Sequence, residues 1–373
     1  MNLKGLLSIG VADIVGTAIS ATFWFFLASF IEPDEFGEIF YFLGIAAIVS
    51  YISLIGTQNT IIVYVAKKIK IQSTFSILSL IVGGISSIVL IMIFYRVDVS
   101  LILLGYIFNT LALGDLLGKK LYTNYSKYFL IQKILTLFLG FTFYYLFGIE
   151  GIIFALAISY VAYAVRVIKA FKETKIDFSL LKTRYGFIGN NYIMILAQGS
   201  KSHIDKLIIA PLLGFSLLGN YALAAQVVGI MFMFTTIVFK YTLSHDATGN
   251  PNYKLKKITI LFSIGIAILG YLLSPIVIPE FFPKYSESVE AIQIMGLSVV
   301  PATIGTIFTS KFLGLEKSKI VLVTKIVSLT TIILGTIILG TIFGITGLAI
   351  AFVLSTSVEA VMFTLINIKV KQR

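Results

Sequence analysis

The segment from Asn190 to Pro211 carries Asn191, Gln198, Lys201, Ser202, His203, Asp205 and Lys206 inside a stretch otherwise apolar enough to cross a bilayer. Ionised side chains cost about 2.5 to 3.5 kcal/mol each on insertion scales, so they normally face a bundle interior or a watery cavity. Lys201 stands near the middle of this stretch, with Asp205 one helical turn further on. Two chemistries fit that spacing. The residues can form a self-satisfied ion pair, which is evidence of little more than mutual neutralisation. Alternatively Lys201, together with Lys240, Lys133 and Lys325, gives a cavity a positive field for a phosphate-bearing ligand, a task that suits lysine as a mobile point charge.

Helical spacing extends the set. Asp13, Gly16, Thr17, Ser20 and Trp24 recur at steps of three and four, as do Asn191, Gln198, Ser202 and Asp205, and Gln226, Gly229, Thr236 and Lys240 mark a third stripe. The candidate binding residues are therefore Lys201, Asp205, Lys240, Gln198, Asn191, Lys133, Lys325 and Asp13. Each has a plainer reading. Small hydroxyl residues serve close helix packing, Asp13 lies two turns into its span, and the stems of Lys133 and Lys325 can snorkel to headgroups. Asp115 and Lys119, four apart, read as an exposed-end pair; Glu359 has no partner obvious from sequence, and His203 reads as packing.

The elements that must position these residues are membrane helices. Of 373 residues, 58% are hydrophobic and 12% charged, against about 25% charged in soluble domains. The expected fold class is an all-α polytopic membrane protein. A span needs about 20 mostly apolar residues, and roughly twelve such segments can be placed, at 6–31, 36–65, 72–95, 99–117, 128–147, 151–168, 185–211, 215–243, 258–279, 288–313, 319–342 and 345–368. The N-terminal segment reads as the first span, without a small-residue cleavage site. With no cysteine and two histidines, disulfide and Cys- or His-ligated metal chemistry are not expected. No ATP-binding G-x-x-x-x-G-K-[ST] loop is present, no cofactor is expected, and no Ser-His-Asp or paired-carboxylate set stands in an outer loop, so no enzyme is expected.

Cations fix the expected orientation. Alternate connections are basic, such as Lys67 to Lys70, Lys119 to Lys127, Lys169 to Arg184 and Lys254 to Lys257, while those between are acidic or nearly uncharged. The positive-inside rule places the basic set, and both termini, in the cytoplasm. The net charge of +12 reflects that bias and contact with anionic headgroups, with no nucleic-acid partner required.

An internal repeat organises the chain. Ser126-Lys127-x-x-Leu130-x-x-Lys133-Ile134 recurs 192 residues later from Ser318, and Phe147-Gly148-Ile149-Glu150-Gly151 recurs 196 residues later from Phe343, as do Ala155 and Ser159 at Ala351 and Ser355. Glu35-Phe36-Gly37 aligns with Leu217-Leu218-Gly219 at 182. The reading is two pseudo-symmetric six-helix bundles, residues 1–175 and 176–373, repeated in parallel around a central cavity, the arrangement in which transporters bind substrate between repeats. At the offset of 182, Lys201, His203, Asp205 and Lys206 fall on Ile19, Ala21, Phe23 and Trp24, so the charged patch is not required by the fold.

Three segments resemble the polysaccharide and oligosaccharide-lipid flippases of the multidrug/oligosaccharidyl-lipid/polysaccharide exporter superfamily. They are Ile31-Glu32-Pro33-Asp34-Glu35-Phe36-Gly37, then Asp205-Lys206-Leu207 through Leu218-Gly219-Asn220-Tyr221, and Leu273-Ser274-Pro275 through Pro283-Lys284-Tyr285. The resemblance covers nearly the whole chain. It implies two bundles around a cavity that move a lipid-linked sugar from the cytoplasmic to the outer leaflet by alternating access. The partners it implies are an anionic lipid-linked glycan, membrane lipids and glycan-assembly enzymes, with the chain acting as a monomer. A multidrug cation antiporter of the same superfamily would share the architecture but favour unpaired acids over lysines in its cavity.

Overall fold

A computed structural model describes the backbone of residues 3–182, 184–247, 251–315 and 317–371, with the side chains among them except those of 3–7, 198, 240, 241, 244, 245, 247, 370 and 371. In chain order the helices are α1 Leu3–Phe30, α2 Pro33–Leu54, α3 Thr57–Ala66, α4 Gln72–Phe94, α5 Val97–Gly118, α6 Tyr122–Phe147, α7 Glu150–Ser159, α8 Val161–Glu173, α9 Ser179–Lys182, α10 Tyr185–Lys201, α11 Ile204–Leu213, α12 Phe215–Met231, α13 Met233–Ala247, α14 Tyr253–Phe281, α15 Ser288–Gly296, α16 Val299–Gly314 and α17 Ser318–Lys371. Among the described residues there is no strand.

Among the described residues eight helices are long and apolar enough to cross a membrane, or ten if two bent pairs, α12 with α13 and α15 with α16, each form one span. The last stretch, Ser318–Lys369, has 52 residues, about 78 Å of helix against a hydrocarbon core of about 30 Å. It folds back at Gly344, where φ is 59°, and so supplies two crossings. α10 and α11, neither long enough alone, share the apolar stretch that remains. Length and composition thus give eight to ten candidate spans among the described residues, fewer than the roughly twelve segments expected from hydropathy; the fold-back of α17 and the α10–α11 stretch are the further apolar segments.

The chain packs as two compact units, residues 1–24 with 42–203 and residues 25–41 with 204–373. Their borders differ from the repeat halves: α10 belongs to the first unit, and the turn joining α1 to α2 belongs to the second. In the first unit α5 packs on α3, α4, α7 and α8. Its residues are buried on every side, among them Val99, Leu103, Ile107 and Leu116, as a helix at the centre of a bundle must be. In the second unit α15 packs on α12, α14 and α17, around a core that includes Ile209, Leu218, Tyr221, Ile292, Met295 and Leu348.

The three segments that carried the resemblance converge inside the second unit. Pro33 opens α2, where its missing N–H costs nothing, and Glu35 reaches back to accept the Glu32 N–H at 2.9 Å, as in a capping box. A Cβ at Gly37 would strike the Phe215 carbonyl, and a Cβ at Gly219 would strike the Pro33 carbonyl. Because 33 and 215, like 37 and 219, are 182 apart, this is one backbone-to-backbone contact made twice by a pseudo-twofold. The Tyr285 hydroxyl then donates to the Ile31 carbonyl at 3.2 Å, and Lys284 pairs with Glu32 at 2.8 Å.

The later part of the repeat is equally physical. Gly148 and Gly344 both hold positive φ, 66° and 59°, a region that suits glycine. A Cβ at Gly151 would meet the Phe143 carbonyl, and one at Gly347 would meet the Leu339 carbonyl, its repeat mate. Thr136 donates to Ser159 at 3.1 Å, and their counterparts Ser328 and Ser355 bond at 2.9 Å.

Candidate substrate site

Lys133 and Lys325 occupy repeat-equivalent turns, on α6 and on the first arm of α17, but the structure treats them differently. Lys325 Nζ lies 2.5 Å from Glu359 Oε1 on the second arm, and Glu359 is buried. Subtracting 196 from Glu359 gives Tyr163. That tyrosine is 1% exposed, and its hydroxyl has no hydrogen-bond partner among the described residues. Lys133 accordingly has no acid partner among the described residues. Its ammonium rests over the Phe129 ring, 5.4 Å from the centroid, and Phe129 is closed in by Gly16 of α1.

Magnitudes show what this arrangement lacks. A cation over an aromatic ring gains about 0.5 to 2 kcal/mol, whereas withdrawing an ammonium from water costs several. Lys133 is partly buried within a candidate span, so the ring offsets only part of that cost. An anion at this position would supply the remainder. The neighbouring surface is polar and aromatic: Tyr125 donates to Asp13 Oδ1 at 3.3 Å, and Tyr128 stacks near Tyr163 at 6.2 Å.

The charged stretch in the middle of the chain is a broken helix. α10 ends at Lys201 and α11 begins at Ile204, with a turn at Ser202 and His203. Lys201 thus stands in the last turn of one helix and Asp205 in the first turn of the next, each with the sign that its helix end favours. Asp205 is buried, accepts the Tyr221 hydroxyl at 2.9 Å and pairs with Lys206 at 3.2 Å. The His203 ring packs 6.2 Å from that of Tyr51.

Other candidates divide plainly. Asn191 is buried and donates its amide to the Phe187 carbonyl one turn back at 3.0 Å, and Thr17 donates its hydroxyl to the Asp13 backbone carbonyl at 2.7 Å; both satisfy their own helix. Asp13 is brought to Tyr125 of α6. The side chains of Gln198 and Lys240 lie outside the described residues. The Asp115–Lys119 pair exists at 2.8 Å, but it does not stand at an exposed end, because Asp115 is 1% exposed. Asp115 also takes an ion pair from Arg166 of α8 and a hydrogen bond from Gln72 at 3.2 Å, and Glu173 bridges Arg166 and Lys119.

Sequence reasoning missed Arg166 altogether and counted Lys256 among headgroup-facing cations. Lys256 instead turns inward to Asp246 at 2.6 Å, and Ser310 also donates to that carboxylate at 2.6 Å. A cation within an apolar span was the available signal for Arg166. For Tyr163 it was the repeat offset applied to Glu359.

No family model matches the sequence, and no curated protein is detectably similar to it. Solved structures are. The lipid II flippase MurJ in an inward closed conformation matches with a TM-score of 0.79 and 13% identity, over 97% of this chain and 87% of that one. An inward-facing multidrug-resistance transporter of the MATE family gives 0.75 and 15%, over 96% and 94%. A MATE transporter in a bent conformation gives 0.62 and 16%, over 99% and 95%. At such identities the likeness is one of fold. This chain has the fold of the transporters of the MOP superfamily.

Proposed function

We propose that the protein is a flippase that carries an anionic lipid-linked oligosaccharide or polysaccharide precursor from the cytoplasmic to the outer leaflet of the cell membrane by alternating access. The observation that carries this reading is the asymmetry of the two lysines. The fold provides a place for an acid beside each; the second half fills it with Glu359 and the first half with Tyr163, leaving Lys133 to pair with a charge on the substrate. The phosphate or diphosphate of a polyprenyl carrier is such a charge, and a lysine that binds it as a point charge can also release it. Lys201, at the end of α10, is the second cation assigned to the same task.

Direction follows from electrostatics. A group of roughly two negative charges leaving a negative cytoplasm gains about 4.6 kcal/mol per 100 mV, since one charge is worth about 2.3. Both termini would lie in the cytoplasm, the chain would act as a monomer, and glycan-assembly enzymes would supply the substrate. Reconstitution in liposomes with a polyprenyl-diphosphate-linked glycan, comparing wild type with Lys133→Met, tests the reading.

The second reading is a multidrug cation antiporter, favoured by the multidrug transporters among the structural neighbours. A cation carrier uses acids open to its substrate, whereas here Glu359, Asp205 and Asp246 each hold a lysine. Export of cationic dyes that is lost on changing Glu359 would replace the first reading with this one.

A further inference from the structure

Where α4 begins and α8 ends, the first unit holds a pocket of about 610 Å³, lined by Lys70, Lys172 and Lys175 together with Glu173, Thr174 and Asp177. Of its two acids one is ion-paired and the other only hydrogen-bonded. Glu173 is held by Lys119 and Arg166, and Asp177 accepts the backbone N–H and the hydroxyl of Ser179 at 2.9 and 2.6 Å. The three lysines are exposed and have no acid partner among the described residues. The pocket is therefore a concave surface where three lysines outnumber one carboxylate, Asp177, that no cation pairs with among the described residues, and its net charge is positive.

Its wall is fixed. Ser73, in the first turn of α4, donates its N–H to Thr174 Oγ1 at 3.2 Å and its hydroxyl to the Thr174 carbonyl at 2.8 Å. The Asp177 N–H donates to Thr74 at 2.9 Å. These bonds stitch the chain after α8 to the start of α4, so the lysines on either side hold a set separation. The location is also defined, because α4 and the α7–α8 segment are both candidate spans and the pocket joins an end of each. It therefore lies at the bilayer surface. On the same loop Ile176 and Phe178 are exposed at 45% and 51%, apolar side chains among cations at the depth where headgroups meet acyl chains.

We propose that this pocket binds the phosphate headgroup of an anionic membrane lipid, with Ile176 and Phe178 set against its acyl chains. Basic pockets between spanning helices recognise headgroups in this way, each lysine near the surface adding about 1 kcal/mol. The inference stands apart from the transport reading, since a lipid held here is a fixed partner and not the cargo.

The test is native mass spectrometry of the full-length protein in neutral detergent, titrated with phosphatidylglycerol and, separately, phosphatidylcholine. Wild type should retain phosphatidylglycerol and not phosphatidylcholine. The triple variant Lys70→Gln, Lys172→Gln, Lys175→Gln should bind it about a hundredfold more weakly. A control variant with Lys254→Gln and Lys257→Gln, exposed cations outside the pocket, should bind like wild type. Because the pocket lysines make no pairs, the triple variant should melt at the wild-type temperature in lipid-free detergent, which separates loss of binding from loss of fold. Equal retention by the triple variant and wild type, or equal loss by the control, would overturn the proposal. Inorganic phosphate displacing the lipid as readily as added phosphatidylglycerol would overturn it too, by making the site one for the free ion.

Discussion

Lys325 Nζ and Glu359 Oε1 meet at 2.5 Å between the two arms of α17, 34 residues apart in the chain. The pair neutralises an intramembrane cation in the second half of the repeat, and it shows by contrast what Lys133 lacks in the first. Glu359 is 6% exposed, so Lys325→Met leaves a buried carboxylate without this partner. Losing one member of a buried pair costs about 3 to 5 kcal/mol; the partial exposure of Lys325 reduces the expected loss to about 2. The double variant Lys325→Met, Glu359→Gln should recover most of it, and chemical unfolding in detergent across the double-mutant cycle measures the coupling.

The reciprocal contact of Gly37 and Gly219 predicts a packing defect with no bearing on charge. Gly219→Ala places a methyl group against the Pro33 carbonyl, where backbone on both sides limits relaxation. Overpacking of that kind costs about 1 to 3 kcal/mol. Gly229→Ala has open space around it and should leave the melting temperature unchanged or slightly raised. Thermal melts of the two variants compare them directly.

Arg166 holds the buried Asp115 in the first unit. Arg166→Met should destabilise by about 3 to 5 kcal/mol, and Asp115→Asn in the same background should restore part of that. Unfolding midpoints of the single and double variants decide the matter. If Arg166→Met were neutral, the buried network would not be holding α5 to α8.

Tyr285 gives a pH signature outside the spans. Burial, with Glu32 and Glu35 nearby, raises its phenol above the ordinary value, which is near 10. The folded state therefore favours the neutral form. Above about pH 10 the unfolded chain loses this proton first and binds fewer protons than the folded one, so stability falls as pH rises. Melting between pH 8 and 11 should show that fall in wild type and a weaker one in Tyr285→Phe, which also loses a buried hydrogen bond worth about 1 kcal/mol.

Hydropathy and the glycine pattern made the all-helical membrane fold and the doubled repeat legible, because a glycine forced by a carbonyl contact leaves the same letter at both repeat positions. Gly37 with Gly219 and Gly151 with Gly347 did so, and Gly148 with Gly344 repeat because both hold positive φ. Side-chain pairing was far less legible. Lys325 and Glu359 lie on separate arms of α17, and Asp115 meets Arg166 across 51 residues, distances at which helical spacing carries no information. Lys256 misled for another reason: within the run Lys254 to Lys257, one side chain turns inward while its neighbours face solvent, and composition cannot separate them. The break at Ser202 and His203 left no proline or glycine between the two helices, so Lys201 and Asp205 read as neighbours on one continuous face when they belong to two helix ends.

The proposed transport depends on Lys133 as the cation that meets a substrate anion. The most direct measurement is transbilayer movement of a polyprenyl-diphosphate-linked glycan in liposomes by wild type, Lys133→Met and Tyr163→Glu, the last rebuilding in the first half the acid that the second half carries. A charge-assisted contact worth about 1.5 to 3 kcal/mol predicts a tenfold to hundredfold loss of apparent affinity for Lys133→Met. Tyr163→Glu, provided its melt shows it folded, should lose affinity by a similar factor, while Lys325→Met with Glu359→Gln keeps wild-type affinity. Wild-type movement and affinity in Lys133→Met would contradict the account.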